Sequence, residues 1–279
     1  MLITPKVDET QEFIEIANDF SNPLDLVREA ISNSYDAKAT EIRISFAVIK
    51  EFGEATLLIK LIDNGTGMTL DQLQSFFDLG NSTRRGDKQT IGEKGHGTKV
   101  YFNSRRIEVR TSTGIEAHLA IMDDPFRRLH DRKIPTVEVT ALDVSSQGKG
   151  TEITMHGYNN NRRDKFTHPI LKDYVTWFTK HGAIDTVFVA DEPKTTLLLR
   201  GLGRDLDEEI PQGHPFPSDS KDINHLFEEY LVKAPDYYAK RILRTGCLKN
   251  FPEVAYQALK KGGPGWTRTS DQRIMSPLL

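Results

Sequence analysis

From Leu24 onward the apolar positions follow the period of a helix: Leu24, Val27, Ile31 and Tyr35 share one stripe, with Ala30 filling between them. Ser21-Asn22-Pro23 just ahead offers a helix cap with proline at an early helical position, where its missing N–H costs nothing. The period then shortens to two. Ile42, Ile44, Phe46 and Val48 alternate and residues 55–62 are almost all apolar, which predicts two strands with Phe52-Gly53-Glu54 as the hairpin turn. Thr69 and Gln72 have the spacing of a capping box and open a short predicted helix through Phe77.

Residues 79–97 lose this periodicity and are rich in Gly, Ser, Thr, Arg and Lys, so a mobile loop is expected there. A short helix through Phe102 follows, then strand patterns at 105–112, 115–121, 135–142 and 151–157, punctuated by Gly114 and Gly148-Lys149-Gly150. Ile170, Tyr174, Trp177 and Phe178 form another amphipathic stripe that ends at His181-Gly182. Strands mixed with helices, without regular βαβ alternation, predict an α+β two-layer sandwich. Helices cover one face of a mixed, mainly antiparallel sheet.

Past about residue 190 the character shifts. A strand-like stretch from Thr195 to Arg200 leads into Gly-, Asp- and Pro-rich residues 201–220, then helical patterns near 221–233 and 235–244. The expected organisation is one domain over 1–190, a partial second domain over 191–261, and a disordered tail over 262–279 that starts GGPGW. The tail is also compatible with an out-of-frame extension of a truncated gene.

Composition narrows the class. The chain has 279 residues, 37% hydrophobic and 28% charged, with a formal net charge of -3. That balance suits a globular chain with a core and argues against a dedicated nucleic-acid coat. The single cysteine, Cys247, excludes an internal disulfide and reads as a partly buried structural thiol in a reducing compartment. No leader-like start and no apolar run of membrane-spanning length are evident, so a cytoplasmic protein without a membrane partner is expected.

Candidate chemistry gathers in three places. Glu29, Asn33 and Asp36 are spaced i, i+4, i+7 and share a helix face apart from the apolar stripe. An amide oxygen there suits Mg²⁺, and a carboxylate one turn earlier can take a proton from water. Taken alone, this is also what an ordinary solvated face looks like. The second place is Asp63-Asn64-Gly65-Thr66-Gly67-Met68, directly after an apolar strand. Its Asp can accept from an exocyclic amine, and its glycines let backbone approach a flat ring. A strand-ending turn of this kind is common in hairpins, but helical residues follow this one. The third is Gly92-Glu93-Lys94-Gly95-His96-Gly97-Thr98-Lys99, whose clustered N–H groups at a helix start suit polyphosphate. It has neither Walker A nor dinucleotide-fingerprint spacing.

In this order, E-A-I-S-N-S-Y-D-A, then D-N-G-T-G-M, then I-G-E-K-G-H-G-T-K, the chain resembles the GHKL superfamily of gyrase B, heat-shock-90-type chaperones, histidine kinases and MutL. The resemblance covers roughly residues 10–190 and is closest to the MORC-like and chaperone-like branch. It implies a Bergerat-type fold that binds ATP with Mg²⁺. On it, Glu29 is the general base, Asn33 the Mg²⁺ ligand, Asp36 a support for the water network, and Asp63 the partner of the adenine amine, with Gly65, Gly67 and Met68 beside it. Gly80-Asn81-Ser82 resembles the start of the lid. Backbone at Gly92, Gly95, Gly97 and Thr98, with Lys94 or Lys99, is expected to hold phosphates, and the Lys99 head group is left open between phosphate and solvent. His96 is read as a loop residue lining the site, and Thr151, after Gly150, as the threonine near adenine.

Two functions compete. One is a Mg-dependent ATPase whose closure drives a shape change or an ATP-dependent homodimer. The other is a non-hydrolysing, ATP-gated module for a protein client or nucleic acid. The second gains from a gap, because the basic residue that a second domain commonly supplies to the γ-phosphate is matched only loosely by Lys194 or Arg200. The arginine pairs 84–85, 105–106, 127–128 and 162–163 are dispersed among acids and read as solvated loops. A histidine kinase is disfavoured, since no helix with a phospho-accepting histidine precedes Glu29.

Overall fold

The computed structural model describes residues 9–18, 22–51, 53–78, 97–183 and 194–213. Its elements in chain order are α1 (Glu9–Asn18), α2 (Asp25–Asp36), β1 (Glu41–Glu51), β2 (Glu54–Asp63), α3 (Leu70–Phe77), a 3₁₀ turn (Gly97–Phe102), β3 (Arg106–Ser112), β4 (Ala117–Asp123), α4 (Pro125–His130), β5 (Val137–Ala141), β6 (Gly150–His156), α5 (His168–Phe178), β7 (Thr196–Arg200) and β8 (Glu208–Ile210). The Cys247 thiol, the helical patterns past 220 and the tail lie outside the described residues.

The strands form one eight-stranded sheet in the order β5-β4-β3-β6-β2-β1-β7-β8. Its pairs are antiparallel except β1 with β7, which run parallel. The sheet therefore continues past residue 190, where the sequence changes character. Alternation sorts the two faces. Ile42, Ile44, Phe46, Leu57, Ile59, Leu61, Ile107, Val109, Ile153 and Met155 are buried, as are Leu26, Val27, Ala30 and Ile31 of α2. The other face carries ion pairs such as Lys60 with Glu152 at 3.1 Å and Arg106 with Asp123 at 2.7 Å. This is the α+β architecture that the period changes predict, and it agrees with the Bergerat-type fold that the resemblance implies.

Local chemistry explains the boundaries. The capping box at α3 forms, with the Thr69 hydroxyl accepting from Gln72 N–H and the Gln72 side chain accepting from Thr69 N–H. The start of α2 differs from expectation. Leu24 occupies its N-cap without a side-chain cap bond, and Asn22 instead accepts from Leu24 N–H at 3.1 Å, so Pro23 sits in a turn before the helix. Residues 97–102 form the short helix expected through Phe102, as a 3₁₀ turn. Of the arginine pairs, Arg105 binds Glu54 and Arg127 binds Asp124, so acids balance them as expected, but Arg127 and Arg128 lie on α4 and Arg106 on β3 rather than in loops.

Residues 1–175 with 193–211 form one compact unit, and 176–192 with 212–279 a second. In the second, Gly213 N–H donates to the His181 carbonyl at 2.8 Å. In the first, Glu208 binds His168 and Lys172 at 2.7 Å each and Arg204 at 3.0 Å. Hydrogen bonds from Lys172 and His168, with the charges of Lys172 and Arg204, pull the Glu208 carboxyl down to about 2. No helix among the described residues is long and apolar enough to cross a membrane.

Candidate nucleotide-binding site

Sheet register builds the first half of the site. Asp63 ends β2 opposite Thr151 on β6, and Thr151 stands opposite Thr111 on β3. One carboxylate and two hydroxyls thus line up across three adjacent strands. The Thr111 hydroxyl accepts from Met68 N–H at 2.8 Å, lies 3.2 Å from the Gly150 carbonyl as donor, and is 3.1 Å from the Thr151 hydroxyl. The sequence reading missed Thr111, because within β3 it is one more inward-facing residue.

The turn after Asp63 is held by backbone. Gly65 N–H donates to the Asp63 carboxylate at 2.8 Å, and Thr66 N–H to the Ala37 carbonyl at 2.9 Å. Asn64 accepts from the N–H groups of Thr40 and Glu41, 2.9 Å each, which pins the turn to the α2–β1 connection. Gly67 has φ +69, and a Cβ there would run into the Ser112 carbonyl; one on Gly150 would meet the Asp63 carbonyl. Burial pushes the Asp63 carboxyl up, while the Gly65 N–H, the Ser34 hydroxyl and the Thr151 N–H hold it down. Burial wins.

The second half lies on α2 and the 3₁₀ turn. Asn33 donates through its side-chain nitrogen to the Glu29 carboxylate at 3.3 Å, which leaves the Asn33 amide oxygen as the uncommitted end. Asp36, two turns along from Glu29, is close enough to raise it electrostatically. Gly97 passes so near that a Cβ would overlap the Glu29 carboxylate. Burial pushes the Glu29 carboxyl up against the lowering effects of Arg28, Asn33 and Lys99.

Lys99 turns its head group away from solvent. It is fully buried, donates to the Phe76 carbonyl at 2.8 Å and the Thr98 hydroxyl at 2.9 Å, and is pulled down to about 8 by burial despite Asp78 and Glu29. The Thr98 hydroxyl donates to the same carbonyl at 2.7 Å. Both therefore cap the last turn of α3, where a cation meets the negative end of the helix dipole. Ser82, Gly92, Lys94, Gly95 and His96 lie outside the described residues. Lys194 and Arg200 are not drawn to these side chains; Arg200 lies 3.5 Å from Asp207.

The arrangement fits its expected ligands on its own chemistry. An amide oxygen beside a carboxylate suits a hard divalent cation, and peptide N–H groups at the start of a glycine-led helical turn suit phosphate. A strand-end carboxylate flanked by glycines suits an amine on a flat ring.

A helix bearing Glu29 and Asn33 over a mainly antiparallel sheet, with Asp63 and Thr151 on neighbouring strands, is consistent with a Bergerat-type fold. Residues 23–151, under half of the chain, match the family of histidine kinase-, DNA gyrase B- and HSP90-like ATPases, which supports the resemblance to the GHKL superfamily. The chain is also similar to a DNA mismatch repair protein MutL of Thermosipho africanus (strain TCF52B), at 24% identity over 248 residues. The match takes in 81% of this chain and 39% of that relative, so the chain spans well under half the length of the curated protein it matches. The family match supports ATP binding.

Proposed function

We propose that the chain binds Mg-ATP and hydrolyses it, with Glu29 as general base. The observation that carries this reading is the Glu29–Asn33 pair, one turn apart on α2 and backed by Gly97. Asn33 holds the cation through its amide oxygen, and Asp63 with Thr151 takes the adenine amine. Backbone at Gly97 and Thr98 takes the phosphates, and the motif gives the same role to Gly92, Lys94 and Gly95, with Ser82 and His96 as further nucleotide-binding residues. Asp36 supports the waters between them. The cation, when bound, offsets phosphate charge.

Burial supports the base. A carboxyl raised above its ordinary value is, once ionised, a stronger base than an exposed one. Asn33 orients that carboxylate, and Gly97 limits the space around it. The domain boundaries remain part of the proposal: an ATP-binding domain over 1–190, a partial second domain over 191–261 and a tail over 262–279. A cytoplasmic location and an ATP-dependent homodimer belong here as well. The resemblance to a mismatch repair protein makes nucleic acid a reasonable partner to test, and the MORC-like and chaperone-like branch makes a protein client another.

Nucleotide binding by wild type against Asp63→Asn tests the site. Losing a buried, charged hydrogen-bond acceptor is expected to weaken ATP by about 1–3 kcal/mol. Equal affinities would overturn the placement of adenine. Phosphate release with Mg²⁺, compared with Glu29→Ala, then tests turnover. Tight binding with equal, background release in both proteins would favour the ATP-gated, non-hydrolysing module.

A further inference from the structure

The two edges of the sheet are finished differently. β8 closes one side with three residues, two of them glutamates, and Glu208 is held in ion pairs with His168, Lys172 and Arg204. Short length and fixed charge keep an edge from pairing with another strand. β5 ends the other side with Val137-Glu138-Val139-Thr140-Ala141, which has no lysine or proline and a single charge. Val137 is half-buried and the four residues after it are exposed, Val139 at 46%.

Backbone parity decides which groups this edge offers. Leu142 N–H donates to the Ala117 carbonyl at 2.8 Å, so the β5 residues bonded to β4 are Glu138, Thr140 and Leu142. The N–H and C=O groups of Val137, Val139 and Ala141 therefore point away from the sheet. No strand among the described residues pairs with them. Their side chains share a face with Met122, Ala120 and His118, their register partners, and those three are buried. β5 thus carries the inner, apolar row of the sheet out to an edge where Val139 lies open.

A second copy fits this edge. When two β5 strands run antiparallel about Val139, Val137 meets Ala141 and Val139 meets its own copy, so all three outward positions fall in bonded pairs. Glu138 then stands opposite the Thr140 hydroxyl. Centring the pair on Glu138 instead would set two glutamates against each other. The two-fold axis runs through the sheet, so the apolar rows of both copies join on one face.

We propose that the β5 edge is a homodimer interface, at which two copies join their sheets antiparallel about Val139 without nucleotide. The inference stands apart from the Mg-ATP reading and from the ATP-dependent homodimer above.

Sedimentation equilibrium of the full chain without nucleotide tests it, with Val139→Pro alongside. Because Val139 N–H faces outward, proline there removes the two central bonds between copies and spares the ladder to β4. Wild type is expected to dimerise as concentration rises. The dissociation constant of the variant is expected to be about tenfold higher or more, the scale of two lost hydrogen bonds. A second variant joins Glu138→Cys to Thr140→Cys in a Cys247→Ser background, and mild oxidation is expected to link two chains through facing 138 and 140 positions. Within one chain those positions are about 6.6 Å apart along the strand, against about 4 Å between the Cβ atoms of a disulfide. A wild type that stays monomeric, or associates only with ATP, would overturn the inference. So would a dimer that Val139→Pro leaves unchanged, or oxidation that links no chains.

Discussion

The Asp63 half of the site and the Glu29 half solve different problems. Around Asp63, Thr111 and Thr151, sheet register and turn backbone supply the hydrogen bonds, and glycines at 65, 67 and 150 sit where a Cβ would strike neighbouring atoms. That half is built before any ligand arrives. Around Glu29, Asn33 and Lys99, charge is buried at a cost, with a long Asn33–Glu29 bond. That half holds polar groups whose partners the fold does not fully supply. The difference teaches that substitutions in the first half should lower stability, and that some in the second should raise it.

The largest effect is expected at Gly67. Alanine would have to adopt φ near +69 and push its Cβ into the Ser112 carbonyl, which is backbone and cannot swing aside. Strain in that region costs about 1–3 kcal/mol, and the backbone collision adds to it, so Gly67→Ala should lose about 3 kcal/mol or more. Denaturant unfolding measures it. A loss below about 1 kcal/mol would mean that the turn is not prebuilt, and the contrast between the halves would weaken.

A middle effect is expected at Thr111. Valine keeps the shape but leaves Met68 N–H without its 2.8 Å acceptor. Stranding one buried N–H costs about 1–3 kcal/mol, so Thr111→Val should unfold at correspondingly lower denaturant and bind ATP more weakly. Its Mg²⁺ dependence should match wild type, because Asn33 is untouched. A shifted Mg²⁺ dependence would join the two halves into one cooperative unit.

How much of this was legible in sequence depends on distance along the chain. β1, β2 and the α3 capping box could be read because their causes lie within a few residues: alternation at 42–48, and Thr69 three residues before Gln72. Glu29 and Asn33 share a face by helical spacing alone. Thr111 was not legible, since its role comes from Met68, 43 residues away, and Thr151, 40 residues away. The Lys99 head group was left open for the same reason: its acceptor, the Phe76 carbonyl, is a backbone atom 23 residues earlier.

The smallest effect, and the clearest in sign, concerns Glu29 and pH. Its carboxyl is raised in the folded protein, chiefly by burial. Between its ordinary value and that raised value the folded state binds more protons than the unfolded one, so stability falls as pH rises through the window. Below the window the carboxyl is neutral in both states and the cost is absent; above it the cost is fully present. Glu29→Gln keeps the shape beside Gly97 and an oxygen that can accept from Asn33, but removes the charge. The variant should therefore melt a few degrees above wild type near neutral pH, with the gap closing as pH falls toward about 4, where an ordinary carboxyl protonates. Melting curves of the nucleotide-free proteins across that range measure it. A gap of the opposite sign at neutral pH would mean that Arg28 and Lys99 outweigh burial, making Glu29 a structural ion-pair partner and leaving the proposed base without the strained setting its role requires.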